Sequence, residues 1–239
     1  MINSLLYAAP VVLTLFIGYQ YVNHQATNSL YKKWKSLNNE SQKLKGKNIL
    51  VVGGTQGIGM GIAIRAAELG ASVAIAGRNR ELAKSVLDRM DEVKITTSQS
   101  FKFLPVDASL MNDLQRFVKV NVSRCSTNEK ESTEYFESIG GLDHLFISSG
   151  TAPNLFSVDK TSEGNDANWM VTGYSKYFIT KSLIPILKGS CTYVLRPAYS
   201  GNLDLANMEN HNASGFHRIK RILVYVDSIT AVFTELPQI

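Results

Sequence analysis

The residues with the most chemical content follow an apolar run. Asn48-Ile49-Leu50-Val51-Val52 leads directly into Gly53-Gly54-Thr55-Gln56-Gly57-Ile58-Gly59, and beyond it apolar residues recur at helical spacing. Glycine permits a tight turn and lets the backbone approach a bulky anion, while the N–H groups and positive dipole of the next helix attract phosphate. Strand, glycine turn and helix in this order make a pyrophosphate-binding element, with Gly53, Thr55, Gln56, Gly57, Ile58 and Gly59 as its candidate residues. The alternative is a turn that merely joins strand to helix. After the second apolar run the chain reads Ala76-Gly77-Arg78-Asn79-Arg80. A carboxylate about 20 positions beyond the glycines would bind a ribose 2′-hydroxyl. None stands there. The Arg78 guanidinium, with Asn79 beside it, instead suits the 2′-phosphate of NADP, which a carboxylate would repel. A solvated surface arginine is the other reading of Arg78.

These groups need a framework, and the chain is long enough to supply one. Its 239 residues allow one medium α/β domain, and 44% hydrophobic against 19% charged residues exclude a disordered or low-complexity chain. The net charge of +5 forms no stripe of the kind that binds nucleic acid. Cys125 and Cys191 make neither a disulfide framework nor a zinc cluster, so no metal is expected. The apolar runs at 48–52, 72–76 and 100–106 alternate with helical patterns at 57–69, 80–91 and 111–122. Further on come a strand at 144–148, a long helix at 168–187, a strand at 192–195 and a last helix at about 216–235. The alternation predicts a doubly wound parallel sheet.

Ahead of this domain, residues 5–22 carry no charge and are just long enough to cross a bilayer. Residues 1–22 are therefore expected to be an N-terminal membrane anchor, 23–45 a basic juxtamembrane linker and 46–239 the nucleotide-binding domain. A signal peptide, an interfacial helix or a core helix are the alternatives, but no basic residue precedes the apolar run as a signal peptide requires. Lys32, Lys33, Lys35, Lys43, Lys45 and Lys47 follow it, which places the domain on the cytosolic side, with the endoplasmic reticulum as the expected membrane. Asn39, Asn121 and Asn212 head glycosylation sequons that would report a lumenal domain.

From Gly46 onward the chain resembles the short-chain dehydrogenase/reductase family of Rossmann-fold oxidoreductases. The likeness rests on the glycine turn, on Ala76-Gly77-Arg78-Asn79, on Val106-Asp107 and on Ile147-Ser148-Ser149-Gly150. It implies NADP(H) as cofactor, with Asp107 facing the adenine and Ser148 to Gly150 lining the cofactor near its ribose. The family's chemistry uses a tyrosine as proton donor, a lysine beside it, a serine that polarises the substrate and an asparagine that orders a water. The resemblance places the asparagine on Thr172, the paired serines on Arg196 and Pro197, and the Tyr-x-x-x-Lys on Phe216 to Lys220. Lys220 alone keeps its type, and would hold the nicotinamide ribose. A phenyl ring at Phe216 neither gives nor takes a proton. Tyr199, Ser200 and His217 are the neighbours that could substitute. Tyr177 and Lys181 also read Tyr-x-x-x-Lys, but they precede the fifth strand, and an ordinary helical pair is the stronger reading.

The resemblance also leads one to expect further strands after the last helix, whereas the chain reads Pro237-Gln238-Ile239 at its end. An uncovered sheet edge would call for a partner or a second copy. The residues favour a membrane-anchored NADP(H)-binding protein whose catalysis is impaired, a scaffold or sensor of pseudoenzyme type. The alternative is an NADP-dependent oxidoreductase that acts on a lipophilic carbonyl or alcohol through a non-standard proton donor. No feature names its substrate.

Overall fold

A computed structural model of the chain describes residues 42–122, 135–151 and 159–195, together with 21, 24–25 and 28–29. The chain divides into two compact units, residues 1–41 and 42–239. In the first, the described residues are helical: Gln25 Nε2 donates to the Tyr21 hydroxyl at 3.1 Å, and Asn28 bonds His24 at 2.9 Å. Of the expected anchor only Tyr21 is among them, so the anchor lies outside the described residues. Within the described residues no helix is long and apolar enough to cross a membrane.

The second unit begins at Gln42, so the last residues of the linker segment belong to it. Leu44 packs on the core, and its N–H donates to Leu69 O at 2.9 Å. Five parallel strands follow in the order β3-β2-β1-β4-β5, with β1 at Asn48–Val52, β2 at Ser72–Gly77, β3 at Phe101–Pro105, β4 at Leu142–Ile147 and β5 at Leu187–Tyr193. The helices are α1 at Gly57–Glu68, α2 at Arg80–Glu92, α3 at Met111–Val122, the short α4 at Tyr135–Ser138, α5 at Ala167–Trp169 and α6 at Ser175–Leu183. The strand order reverses at β1, with β2 and β3 on one side and β4 and β5 on the other.

Both faces of the sheet are covered. Ile49 and Val51 on β1 pack with Ala63, Ala67, Val86 and Met90 of α1 and α2. Leu50 and Val52 pack with Leu114, Phe117, Ile179 and Leu183 of α3 and α6. A strand buried on both faces reads as an unbroken apolar run rather than an alternation, which is why β1 and β2 stand where the sequence placed them.

Two elements depart from expectation. The strand expected at 192–195 begins at Leu187, five residues earlier. Lys188, Gly189 and Ser190 are exposed, so no apolar pattern marks their pairing with β4. Gly189 permits it, because a Cβ there would sit 2.4 Å from Asp143 O. The helix expected over 168–187 is broken into α5, a π-helix at Met170–Tyr174, α6 and a 3-10 turn at Ile184–Ile186. Thr172 and Ser175 each send their hydroxyl to the carbonyl four residues earlier, on Asn168 and Val171, a bond that competes with regular helix geometry. Pro185 sits in the closing turn. The helix expected at about 216–235 lies outside the described residues.

Candidate functional site

At the carboxyl ends of the strands lies a cleft of about 600 Å³, walled by the glycine turn, the residues after β2, β3, β4 and β5, and the π-helix. In an open α/β sheet the reversal of strand order opens such a crevice, because neighbouring crossovers run to opposite faces.

The turn after β1 is fixed by its glycines. Gly53 has φ +79° and its N–H donates to Ala76 O at 2.8 Å. A Cβ on it would lie 2.6 Å from Ser149 N, so the turn runs against the residues that follow β4. A Cβ on Gly59 would lie 2.2 Å from Gly53 O, which presses the start of α1 onto the turn. Gln56, in extended conformation, precedes α1, and its side chain does not cap the helix. No acid stands in the first turn. The opening N–H groups of α1 have no intrahelical acceptor and face the side on which the cleft lies. Thr55 is buried against Gly77, while Gln56, Gly57 and Ile58 are exposed on the cleft wall.

At one end of the cleft stand Arg78 and Asp107. Arg78 Nη1 lies 3.7 Å from Asp107 Oδ2, with the arginine side chain 68% exposed. Asp107 is held from behind: its Oδ1 accepts from Ser109 N at 2.9 Å and Ser109 Oγ at 2.6 Å, and its own N–H donates to Asp113 at 2.6 Å. Asn79 does not line the cleft. Its Oδ1 accepts from Leu82 N at 2.9 Å and caps α2.

Toward β4 and β5 the wall is polar. Ser148 N donates to Val52 O at 2.8 Å, and Gly150 follows on the exposed rim. Ser149 Oγ is fully buried with no hydrogen-bond partner among the described residues. Thr172 lines the cleft from the π-helix, 4% exposed. Asn168, one turn earlier, sends its amide to Thr151 O at 2.8 Å and so ties α5 to the chain after β4. Ser149 as an individual group, Asn168 and the buried Lys176 are not among the candidates that the sequence marks. Of these only Asn168 carried a local signal, since Asp166 two positions before it is a helix cap, accepting from Asn168 N and Trp169 N.

The structure brings Gly53, Thr55, Gln56, Gly57, Ile58, Arg78, Asp107, Ser148, Gly150 and Thr172 around one cleft, with Gly59 packed directly behind the turn. Pro197, Phe216 and Lys220, with Arg196, Tyr199, Ser200 and His217, lie outside the described residues. Tyr177 and Lys181 do not line the cleft; the Lys181 ammonium sits 5.6 Å from the Tyr177 ring centre on α6. Cys191 lies away from the cleft. Burial pushes its thiol above the usual range against the hydrogen bonds of Tyr193 and Thr180, so it is a poor nucleophile near neutral pH. Among the described residues no group of His, Cys, Asp and Glu could hold a metal.

The sequence model described as short chain dehydrogenase matches residues 47–172, more than half of the chain. The chain belongs to the short chain dehydrogenase family. Among curated relatives it is 33% identical to oxidoreductase andH of Emericella variicolor over 58% of this chain and 36% of that protein. It is 29% identical to 11-beta-hydroxysteroid dehydrogenase-like 4A of Arabidopsis thaliana over 82% of this chain and 63% of that protein. It thus spans less than two thirds of these relatives. Among solved structures, a short chain dehydrogenase from Burkholderia cenocepacia, in complex with NADP, superposes with a TM-score of 0.55 at 22% identity over 80% of this chain and 68% of that one. That likeness establishes the Rossmann-like short chain dehydrogenase fold.

Proposed function

We propose that this short chain dehydrogenase family member binds NADP(H) in the cleft, is anchored to a membrane by residues 5–22 with its domain in the cytosol, and is impaired in catalysis. The residues present fit a dinucleotide. The glycine turn is packed so closely that Cβ atoms at Gly53 or Gly59 would strike backbone, the uncapped start of α1 offers donors to a pyrophosphate, and Ser149 on the cleft wall carries a buried hydroxyl with no hydrogen-bond partner among the described residues. The observation that carries the choice of NADP(H) is Arg78. It follows β2 where NAD-selective sites place a carboxylate, and with most of its guanidinium exposed it reaches Asp107 with a single nitrogen, leaving N–H groups for a 2′-phosphate.

Bound NADPH would supply a hydride. What the chain's own residues supply is binding: α1 holds the phosphates, Arg78 the 2′-phosphate and Asp107 the adenosine end. Impairment is supported by Thr172, whose hydroxyl is committed to Asn168 O where the family has an asparagine, and by Phe216, Arg196 and Pro197 at the family's tyrosine and serine positions.

A second reading, an NADP-dependent oxidoreductase with a non-standard proton donor acting on a lipophilic carbonyl or alcohol, is favoured by the name of the Arabidopsis relative, which refers to a hydroxysteroid. A thermal-shift titration with NADPH and NADH tests the cofactor, since a ligand of the folded state raises its stability. NADPH is expected to stabilise and NADH not to; equal response to both overturns the role of Arg78. Turnover of steroid and retinoid carbonyls by the wild type would overturn the impairment. If Phe216→Tyr alone turns over, the missing phenol is its cause.

A further inference from the structure

Two of the described residues lining the cleft are cationic, and they stand at opposite ends. Arg78 marks the β2 side. Lys176, on α6 one turn beyond Thr172, marks the β5 side, and it is only 5% exposed. Its Nζ donates to Val194 O at 3.3 Å, immediately past the end of β5. Taking an ammonium out of water costs free energy that an aliphatic side chain at this position would not incur. On the same helix Ile179 and Leu183 fill the interior in that way, fully buried. Lysine at the cleft wall thus brings a cationic donor that packing alone does not call for. An ammonium has three donors in fixed tetrahedral directions, so its contact with Val194 is compatible with acceptors on the cleft side.

A dinucleotide lies across the point where strand order reverses. With its adenosine end at Arg78 and Asp107 and its phosphates at the start of α1, its other half extends toward β4 and β5, where Ser149, Thr172 and Lys176 line the wall. We infer that Lys176 is a contact for the nicotinamide-ribose half of the cofactor, donating to its oxygen atoms from the helix that precedes β5. This rests on the dinucleotide reading above and adds a group to it. The lysine carried over by resemblance, Lys220, follows β5 and is a different residue on a different segment.

The test compares two probes on the full chain: NADPH, and 2′,5′-ADP, which carries the phosphates and adenosine but no nicotinamide half. Lys176→Gln is expected to weaken NADPH binding about tenfold, the effect of one lost hydrogen bond to a charged donor, and to leave 2′,5′-ADP within twofold. Lys176→Met, which keeps the stem and is cheaper to bury, is expected to do the same and serves where the glutamine variant does not fold. A parallel loss for both probes would make Lys176 a packing residue, and no loss for either would remove it from the site; each outcome overturns the inference. A wild-type chain that binds neither probe overturns the dinucleotide reading itself. Binding of both by the wild type, with NADPH affinity unchanged in the variants, sinks Lys176 alone.

Discussion

Gly59 and Gly61 lie two positions apart at the start of α1, and a methyl group would meet very different surroundings at each. At Gly59 it would lie 2.2 Å from the backbone oxygen of Gly53, so turn and helix would have to separate. At Gly61 it would meet nothing within 4 Å. Gly59→Ala is therefore expected to cost about 1–3 kcal/mol and to abolish the NADPH-induced thermal shift, because the displaced turn no longer presents its N–H groups together. Gly61→Ala is expected to gain about 0.5–1 kcal/mol, since alanine loses less backbone entropy in a helix. Urea unfolding of the two variants checks the stabilities. Similar losses in both would mean that the turn is not the tight element described. The glycines were legible in the sequence because their need is local. Ser149 and Lys176 were not, since a lone serine or lysine acquires meaning only when β4, β5 and α6 meet around one cleft.

At the scale of elements, β1 and β4 are joined at their amino ends by Asp143. Its carboxylate accepts from Asn48 N at 2.9 Å and from Lys47 Nζ at 3.0 Å. Burial raises its pKa, but the hydrogen bonds to Asn48 and Lys47 and the charges of Lys47 and Lys188 outweigh it, leaving the carboxyl below the usual range. A group whose folded pKa is depressed contributes stability above its unfolded pKa and loses it as pH falls through the folded one. Asp143→Asn is expected to cost about 1–2 kcal/mol at pH 7, mostly through the backbone bond, since Lys47 is half-exposed and screened. As pH falls below the ordinary carboxylate range the difference from wild type should narrow, because the unfolded chain takes up a proton on Asp143 first and the folded chain follows at lower pH. A gap that stays constant from pH 7 to pH 3 would show that the charge contributes nothing. The same joint explains part of what the sequence withheld. β5 pairs with β4 across an irregularity at Leu142/His144, where Gly189 meets Asp143 O, and exposed polar residues that pair only through their backbone leave no period to read. By contrast α3 ends where its pattern ended, because Leu114 and Phe117 on its buried face keep helical spacing to the last turn.

For the whole molecule, the proposed anchoring to a membrane and the proposed side of the domain are the properties most open to a direct test, and the fold changes how that test must be read. Three sequons, at Asn39, Asn121 and Asn212, would report a lumenal domain. Asn121 cannot serve. It is 7% exposed on α3, and its Nδ2 donates to Phe117 O at 2.8 Å, so the amide that a glycan would join is turned into the helix. Lack of glycan at Asn121 is expected on either side of the membrane and carries no information about sidedness. The discriminating positions are Asn39 and Asn212, combined with alkaline extraction. A chain anchored through residues 5–22 stays in the pellet after extraction, and with its domain in the cytosol it shows no endoglycosidase-sensitive shift at either asparagine. Release by alkali would remove the anchor, because an uncharged run of that length in a bilayer core resists extraction. A shift that Asn39→Gln or Asn212→Gln abolishes would reverse the orientation, despite the lysines that follow the apolar run.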